Sequence, residues 1–380
     1  MKYFDYAATT PVDPAVYEAM KPYFSDRFYN ASSLYGGGRN VHADLEKARD
    51  QVAGLLAAPE GRVIFTSGGT EADNLALIGT AFHFMRTGSK RKRILISAIE
   101  HHAVLESCLF LERLGFTVER LPVDTDGRLL SETLRDAIGE DVLLVSVMWV
   151  NNELGTIQNI PVLSGIAHEY GALFHTDSVQ AIGTQPVDAK KCGADMISVS
   201  GHKIYGPQGS GALWVRNETL VDGIQHGGQQ ENGLRGGTEN IPALVGFGKA
   251  AELLKSRRDR DSAVMADNRR YLAGRFQSPD IRINTPMEIS SPSVLNVAFR
   301  NIEAEAMLFY LDRKGFCLSM GAACNSQSVE PSHVMRAVHV PDDFIRGCVR
   351  ISFGRGQTRE TVEELAMEML TVFHEAGAYA

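Results

Sequence analysis

The chain is poor in cysteine, in excess positive charge and in long apolar runs, and each shortage excludes something. Its five cysteines, Cys108, Cys192, Cys317, Cys324 and Cys348, are odd in number and scattered through 380 residues. That excludes a disulfide framework and points to a reducing compartment. Cys317 and Cys324 stand too far apart for CxxC ligation and have no second ligand pair nearby, so no zinc site is expected. Lysine and arginine number 38 against 46 acidic residues, a net charge of −8. Nothing in that balance suits nucleic acid or an anionic membrane. The longest apolar stretch, VLLVSVMWV (142–150), is far too short to span a bilayer. The first residues, MKYFDYAATTPVDP, carry Asp5 and no apolar core, so they do not read as a signal peptide and a cytoplasmic protein is expected.

What is present is a chain 44% hydrophobic and 22% charged with 36 glycines, enough for about two domains with substantial cores. RVIFTS (62–67), RILISA (93–98), VLLVSVMWV (142–150), ALFHTD (172–177), DMISVS (195–200) and GALWV (211–215) read as strands. They are almost continuously apolar, as strands buried on both faces are. Helical patterns lie between them; in 41–56, Val41, Leu45, Ala48, Val52 and Leu55 make one face. This alternation predicts an α/β domain with a mainly parallel sheet.

Past about residue 250 the texture changes. ELLKSRRDRDSAVMADNRRYL is a charged helical stretch leading to a smaller α+β domain. That domain has strands at 293–299 and 348–353 and helices near 303–313 and 360–376. Thr358 caps the last helix, and Val362, Leu365, Met369 and Val372 share its face. The expected division is 14–255 for the large domain and 1–13 with 256–380 for the small one.

Four segments fall at strand ends, where open α/β sheets bind ligands. In FTSGGTEADN (65–74) a strand runs into Gly68-Gly69 and a helix opens at Thr70, a turn suited to phosphate. In HTDSVQ (175–180), Asp177 ends an apolar strand; it reads either as a helix cap or as the partner of a protonated ring nitrogen. In SVSGHKIYGPQGSG (198–211), Lys203 follows a buried strand, flanked by Ser200 and His202. It is not a P-loop lysine, because it precedes the glycine-rich turn. A sheltered lysine can lose its proton and become a Schiff-base nucleophile. In EHHAVLES (100–107), one imidazole could stack on an aromatic cofactor or move protons, while adjacent histidines do not share a helix face for a metal. Lysine, aspartate and a glycine-rich helix start together suggest pyridoxal phosphate. A further residue stands apart: Cys324, in SMGAACNSQS (319–328), sits among small and polar residues and reads as a loop thiol, not as a core residue.

The chain resembles the cysteine desulfurases of the fold-type I pyridoxal-phosphate enzymes, and in particular the group I branch associated with iron–sulfur assembly. DYAATTPVDP, FTSGGTEADN, EHHAVL, VNNELGTIQ, HTDSVQAIG, SGHKIYGPQGSGAL, LRGGTEN, GAACNS and RISFGR carry the resemblance from residue 5 to residue 355. It implies a fold-type I transferase in which Lys203 holds the cofactor covalently. Asp177 would pair with the ring nitrogen, Gln180 with the phenolic oxygen, and His101 would stack on the ring. Gly69, Thr70, Ser200 and His202 would cradle the phosphate, and Thr238 would complete the cradle of the partner subunit in a homodimer. Asn152 and Arg355 would grip the substrate carboxylate, and Cys324 would accept sulfur from L-cysteine as a persulfide, leaving L-alanine. An iron–sulfur scaffold is the expected acceptor. In NASSLYGGG (30–38), Ala31 and Tyr35 stand where the family pattern has proline and histidine.

Three other readings are open to these residues. An aminotransferase or lyase of the same fold would use Lys203 but needs no exposed thiol. A selenocysteine lyase would use both. A non-catalytic sulfur carrier or scaffold-binding homologue has no use for Lys203, Asp177, His101 and Cys324 together.

Overall fold

A computed structural model describes residues 1–58, 60–320 and 331–377. Cys324 lies outside the described residues. The strands, in chain order, are β1 (Lys2–Tyr3), β2 (Arg62–Thr66), β3 (Arg93–Ser97), β4 (Thr117–Leu121), β5 (Val142–Ser146), β6 (Leu173–Asp177), β7 (Met196–Ser200), β8 (Gly211–Val215), β9 (Ile281–Ile283), β10 (Val294–Phe299), β11 (Phe316–Cys317) and β12 (Cys348–Ser352).

A seven-stranded sheet in the order β2-β8-β7-β6-β5-β3-β4 forms the larger part. All its strands run the same way except β8, which pairs antiparallel with both β2 and β7. The mainly parallel α/β sheet expected from the sequence is therefore present. Two details differ. The apolar run 142–150 leaves the sheet at Ser146, and its last residues form the loop that reaches Asn152. The edge strand β4, TVERL, has only one buried residue, so the apolar pattern that marks the inner strands is missing from it.

The helix Gly36–Leu55 buries Val41, Leu45, Ala48, Val52 and Leu55, the face expected from its spacing. It lies against the helix Ile241–Arg275, about 50 Å long at 1.5 Å per residue. The two backbones touch at Gly248, where a Cβ would fall 2.6 Å from Ala48 Cα. The first half of the long helix buries Leu244, Phe247 and Leu254 in the core of the large sheet. Its second half buries Met265 and Leu272 in a separate core with Phe4, Leu295, Phe299, Ile351, Leu365 and Met369. That second core covers an antiparallel sheet, β12-β10-β9, and the parallel pair β1–β11. Strand β1 thus brings the first residues of the chain alongside its last third. The final helix, Arg359–Gly377, is entered at Thr358, whose Oγ1 accepts from Thr361 N at 3.4 Å. No helix among the described residues is long and apolar enough to cross a membrane.

Candidate active site

A cavity of about 120 Å³ opens beyond the carboxyl ends of β3, β5, β6 and β7, where such sheets bind ligands. Gly69, Thr70, His101, Asn152, Asp177, Gln180, Ser200, His202 and Lys203 all line it. Nine sequence-selected residues, spread over 135 positions of the chain, thus meet in one place. Two further charged residues, Asp73 and Arg350, line it as well.

Lys203 ends a short turn after β7. Its Nζ donates to the main-chain carbonyls of Ala7 and Ala8, at 2.5 and 2.7 Å. Gln180 Nε2 donates to the same Ala7 carbonyl at 2.8 Å. Asp177 closes β6, and its Oδ1 accepts from Val179 N at 2.8 Å. Burial pushes its pKa up to about 6, against the pull of the Val179 N–H and of Lys203. A buried carboxyl of this kind gains most from a cation placed at its free oxygen.

His101 caps the helix His102–Arg113, with Nδ1 accepting from Ala103 N at 3.1 Å. Nδ1 is therefore unprotonated and the ring proton sits on Nε2. Burial, and secondarily Lys203, lowers its pKa to about 4, so the imidazole is neutral at pH 7. His202, lowered to about 4 by burial, places Nδ1 3.1 Å from Thr9 Oγ1. Near Asp177 are the buried carboxyls of Asp73, which also lines the cavity, and Glu100, both held well above the usual carboxylate range by desolvation.

The helix opening at Gly69 leaves room for an anion. A Cβ at Gly69 would lie 2.7 Å from Val179 Cγ2, so glycine is what keeps this turn against the wall of the cavity. A helix N-terminus with Thr70, Ser200 and His202 beside it, a lysine and a buried carboxyl short of a cation match pyridoxal phosphate in charge and kind. The residues present fit that group.

Arg355 is not brought to the cavity. Its guanidinium contacts Asp261 at 2.5 Å and Asp13 at 3.3 Å and lies over the Tyr205 ring, 4.0 Å from the centroid. The arginine in the cavity is Arg350, on β12, almost fully buried. Its Nη1 donates to the Asn152 carbonyl at 3.0 Å and its Nη2 to Asp5 Oδ1 at 2.8 Å. The signal in the sequence is an arginine inside the otherwise apolar strand CVRIS, five residues before the arginine expected to grip the carboxylate.

Thr238 lines a different cavity, with Ser67, Glu231, Arg235 and Asn240. The segment that carries it is anchored by Glu231, which holds Arg49 at 2.6 Å and accepts from Phe65 N at 3.1 Å. Tyr35 precedes the helix Gly36–Leu55, exposed, its ring edge-on to Tyr29 at 6.0 Å, while Ala31 is buried. No group of three or more histidine, cysteine or acidic side chains suited to a metal occurs among the described residues.

Residues 2–365 match the family described as Aminotransferase class-V. The sequence is 43% identical over 360 residues to "Cysteine desulfurase IscS" of Dictyoglomus turgidum, covering 94% of this chain and 91% of that one. It is 44% identical over 364 residues to the protein of the same name from Methanosarcina thermophila, covering 96% and 89%. The fold superposes on a solved "NifS-like protein" with a TM-score of 0.92 at 34% identity, covering 98% of this chain and 99% of that one.

Proposed function

The chain belongs to the class-V aminotransferase family and, within it, to the cysteine desulfurases, and from that premise we propose the roles its residues play. It is a pyridoxal-phosphate-dependent enzyme that takes sulfur from L-cysteine. The observation that carries the residue assignment is the meeting of Lys203, Asp177 and Arg350 around one cavity.

Lys203, Asp177, Gln180 and His101 would hold the cofactor ring, and Gly69, Thr70, Ser200 and His202 its phosphate. Bound there, the cofactor supplies an electron sink for the charge that develops at the substrate Cα. Lys203 Nζ takes the Cα proton, and the Ala7 and Ala8 carbonyls beside it hold the resulting ammonium. Asp177 keeps its negative charge where a ring cation would need it. His101, neutral with its proton on Nε2, can stack on the ring and donate one hydrogen bond from Nε2 without bringing charge into the cavity. We assign the grip on the substrate carboxylate to Arg350 and Asn152, in place of the Arg355 and Asn152 pair expected from the sequence. Arg350 has fork donors to spare, and its buried Nε has no hydrogen-bond partner among the described residues.

Cys324 is the proposed sulfur acceptor. Its thiolate attacks the substrate sulfur, forming an S–S bond as the C–S bond breaks, and alanine carries away the electron pair and a proton. The other cysteines are poor candidates. Cys108, Cys192 and Cys348 are buried, and burial pushes the thiols of Cys108 and Cys348 up to about 12. Cys317, also raised by burial, does not line the cavity.

The persulfide sulfur is then passed to an acceptor for iron–sulfur cluster assembly, in the cytoplasm. A homodimer belongs to the same reading. It is supported by the exposed Phe24, Phe28, Leu34 and Tyr35 and by a second cavity carrying Thr238 that faces no cofactor residue of its own chain. The division into residues 14–255 and 1–13 with 256–380 is supported by the separate core of Phe4, Met265, Leu295 and Met369, while Val334, Met335 and Phe344 pack into the core of the large sheet.

The test is a single turnover with L-cysteine on the parent and on Cys324→Ser, measuring alanine and protein mass. Alanine and one added sulfur on the parent, both lost in the variant, are expected. Unchanged alanine release from the variant would remove Cys324 from the mechanism.

A further inference from the structure

The motif DYAATT (5–10) is used almost residue by residue. The Ala7 carbonyl takes Lys203 and Gln180, the Ala8 carbonyl takes Lys203, Thr9 meets His202, and Thr10 Oγ1 accepts from Tyr205 N at 2.8 Å. Asp5 begins this run. It bridges in parallel to Ser352 on β12, and its carbonyl accepts from Ala8 N at 2.9 Å, so its backbone is fixed on both sides. Its side chain reaches Arg350 Nη2 at 2.8 Å.

Arg350 is a long side chain with almost no exposure, projecting from a strand into a cavity that also contains carboxyls. A buried guanidinium needs a counter-charge, and a grip on a planar carboxylate needs a fixed plane. Two contacts define that plane: the Asn152 carbonyl on Nη1 and Asp5 on Nη2. Asn152 contributes a main-chain atom, so Asp5 is the side chain that can set the orientation.

We propose that Asp5 is a positioning residue for substrate binding, aiming the Arg350 guanidinium so that its remaining donors meet the carboxylate of the amino-acid substrate. This rests on the reading of Arg350 as the carboxylate grip. Asp5 does not line the cavity; it acts through Arg350. It thereby gives the N-terminal segment a part in discriminating amino acids from simple amines.

The test compares two thiols that differ only by the carboxylate, L-cysteine and cysteamine, on the holoenzyme. Asp5→Asn keeps the size of the side chain and removes its charge. It should raise the KM for L-cysteine about tenfold with kcat within about twofold. Cysteamine half-saturation, read from the cofactor absorption, should not change. A loss shared by both thiols, or by neither, overturns the proposal, since a purely structural role weakens both. Arg350→Gln separates the two readings. If it leaves the KM for L-cysteine unchanged, the carboxylate grip itself is misassigned. If it raises the KM and Asp5→Asn does not, only Asp5 is misassigned. Adding Asp5→Asn to Arg350→Gln should cost nothing more; a further loss means that Asp5 acts by another route. Should Asp5→Asn fail to fold, Asp5→Glu shifts the carboxylate by one methylene. It is expected to show the same selective loss at about threefold, and equal behaviour towards both thiols again overturns the proposal.

Discussion

The Arg350 guanidinium donates to the main-chain carbonyl of Asn152 at 3.0 Å, joining a strand of the small antiparallel sheet to the loop that leaves β5 of the large one. Two residues 198 positions apart are thereby held together at the cavity that the helix opening at Gly69 also lines. The carboxylate end of a substrate amino acid and the phosphate end of a cofactor are in this way given separate anion sites.

This separation distinguishes two arginines of one motif. Arg350→Gln is expected to reduce kcat/KM for L-cysteine by about a hundredfold, through the loss of charge-assisted hydrogen bonds of about 3 kcal/mol in all. Arg355→Gln removes a largely buried contact with Asp13 and Asp261 that lies outside the cavity and should change kcat/KM by no more than about threefold. Steady-state rates on the two purified variants decide this; the reverse ranking would restore Arg355 to the site.

Much of this site could be read from the sequence because its residues sit at strand ends, where apolar runs stop abruptly at Asp177, Ser200 and the Glu100-His101 pair. The β-branched runs that located those ends also gave the sheet. What escaped has physical reasons. The edge strand β4 is largely exposed and loses its apolar signature. The antiparallel sense of β8 depends on a short glycine-rich return, and strand composition does not encode direction. Arg350 was hidden because burial of a charge is decided by its partners, and those partners, Asp5 and Asn152, lie far away in sequence. The main-chain carbonyls of Ala7 and Ala8 could not be found at all by residue type, since any residue supplies a carbonyl.

The long helix offers a test of packing that is independent of catalysis. At Gly248 a methyl group would strike the backbone of Ala48 at 2.6 Å, and helix backbones do not yield as side chains do. Gly248→Ala should destabilise by about 1–3 kcal/mol. Gly274, near the end of the same helix, has nothing within 4 Å of an added methyl. Gly274→Ala should therefore stabilise by about 0.5–1 kcal/mol through helix propensity alone. Urea denaturation midpoints of the two variants should move in opposite directions, and a shift of the same sign in both would refute the close contact.

The last expectation concerns the stability that Asp177 sacrifices for its role. Its pKa in the folded chain, raised by burial to about 6, lies above the ordinary value of about 3.9. Between those two values the unfolded chain has released the proton while the folded chain keeps it, so stability falls as pH rises through the window and stays low above it. The cost at neutral pH is on the order of 3 kcal/mol. Asp177→Asn removes this liability while keeping the shape and the bond from Val179 N. In cofactor-free protein, the variant should be more stable than the parent at pH 7.5 and gain little or nothing at pH 4. Thermal unfolding at the two pH values measures the difference directly. The same substitution removes the counter-charge for a ring cation, so the order should reverse once cofactor is added: the parent gains stability from loading and Asp177→Asn gains less. Equal stabilisation of both by the cofactor would mean that the buried charge of Asp177 serves some other partner.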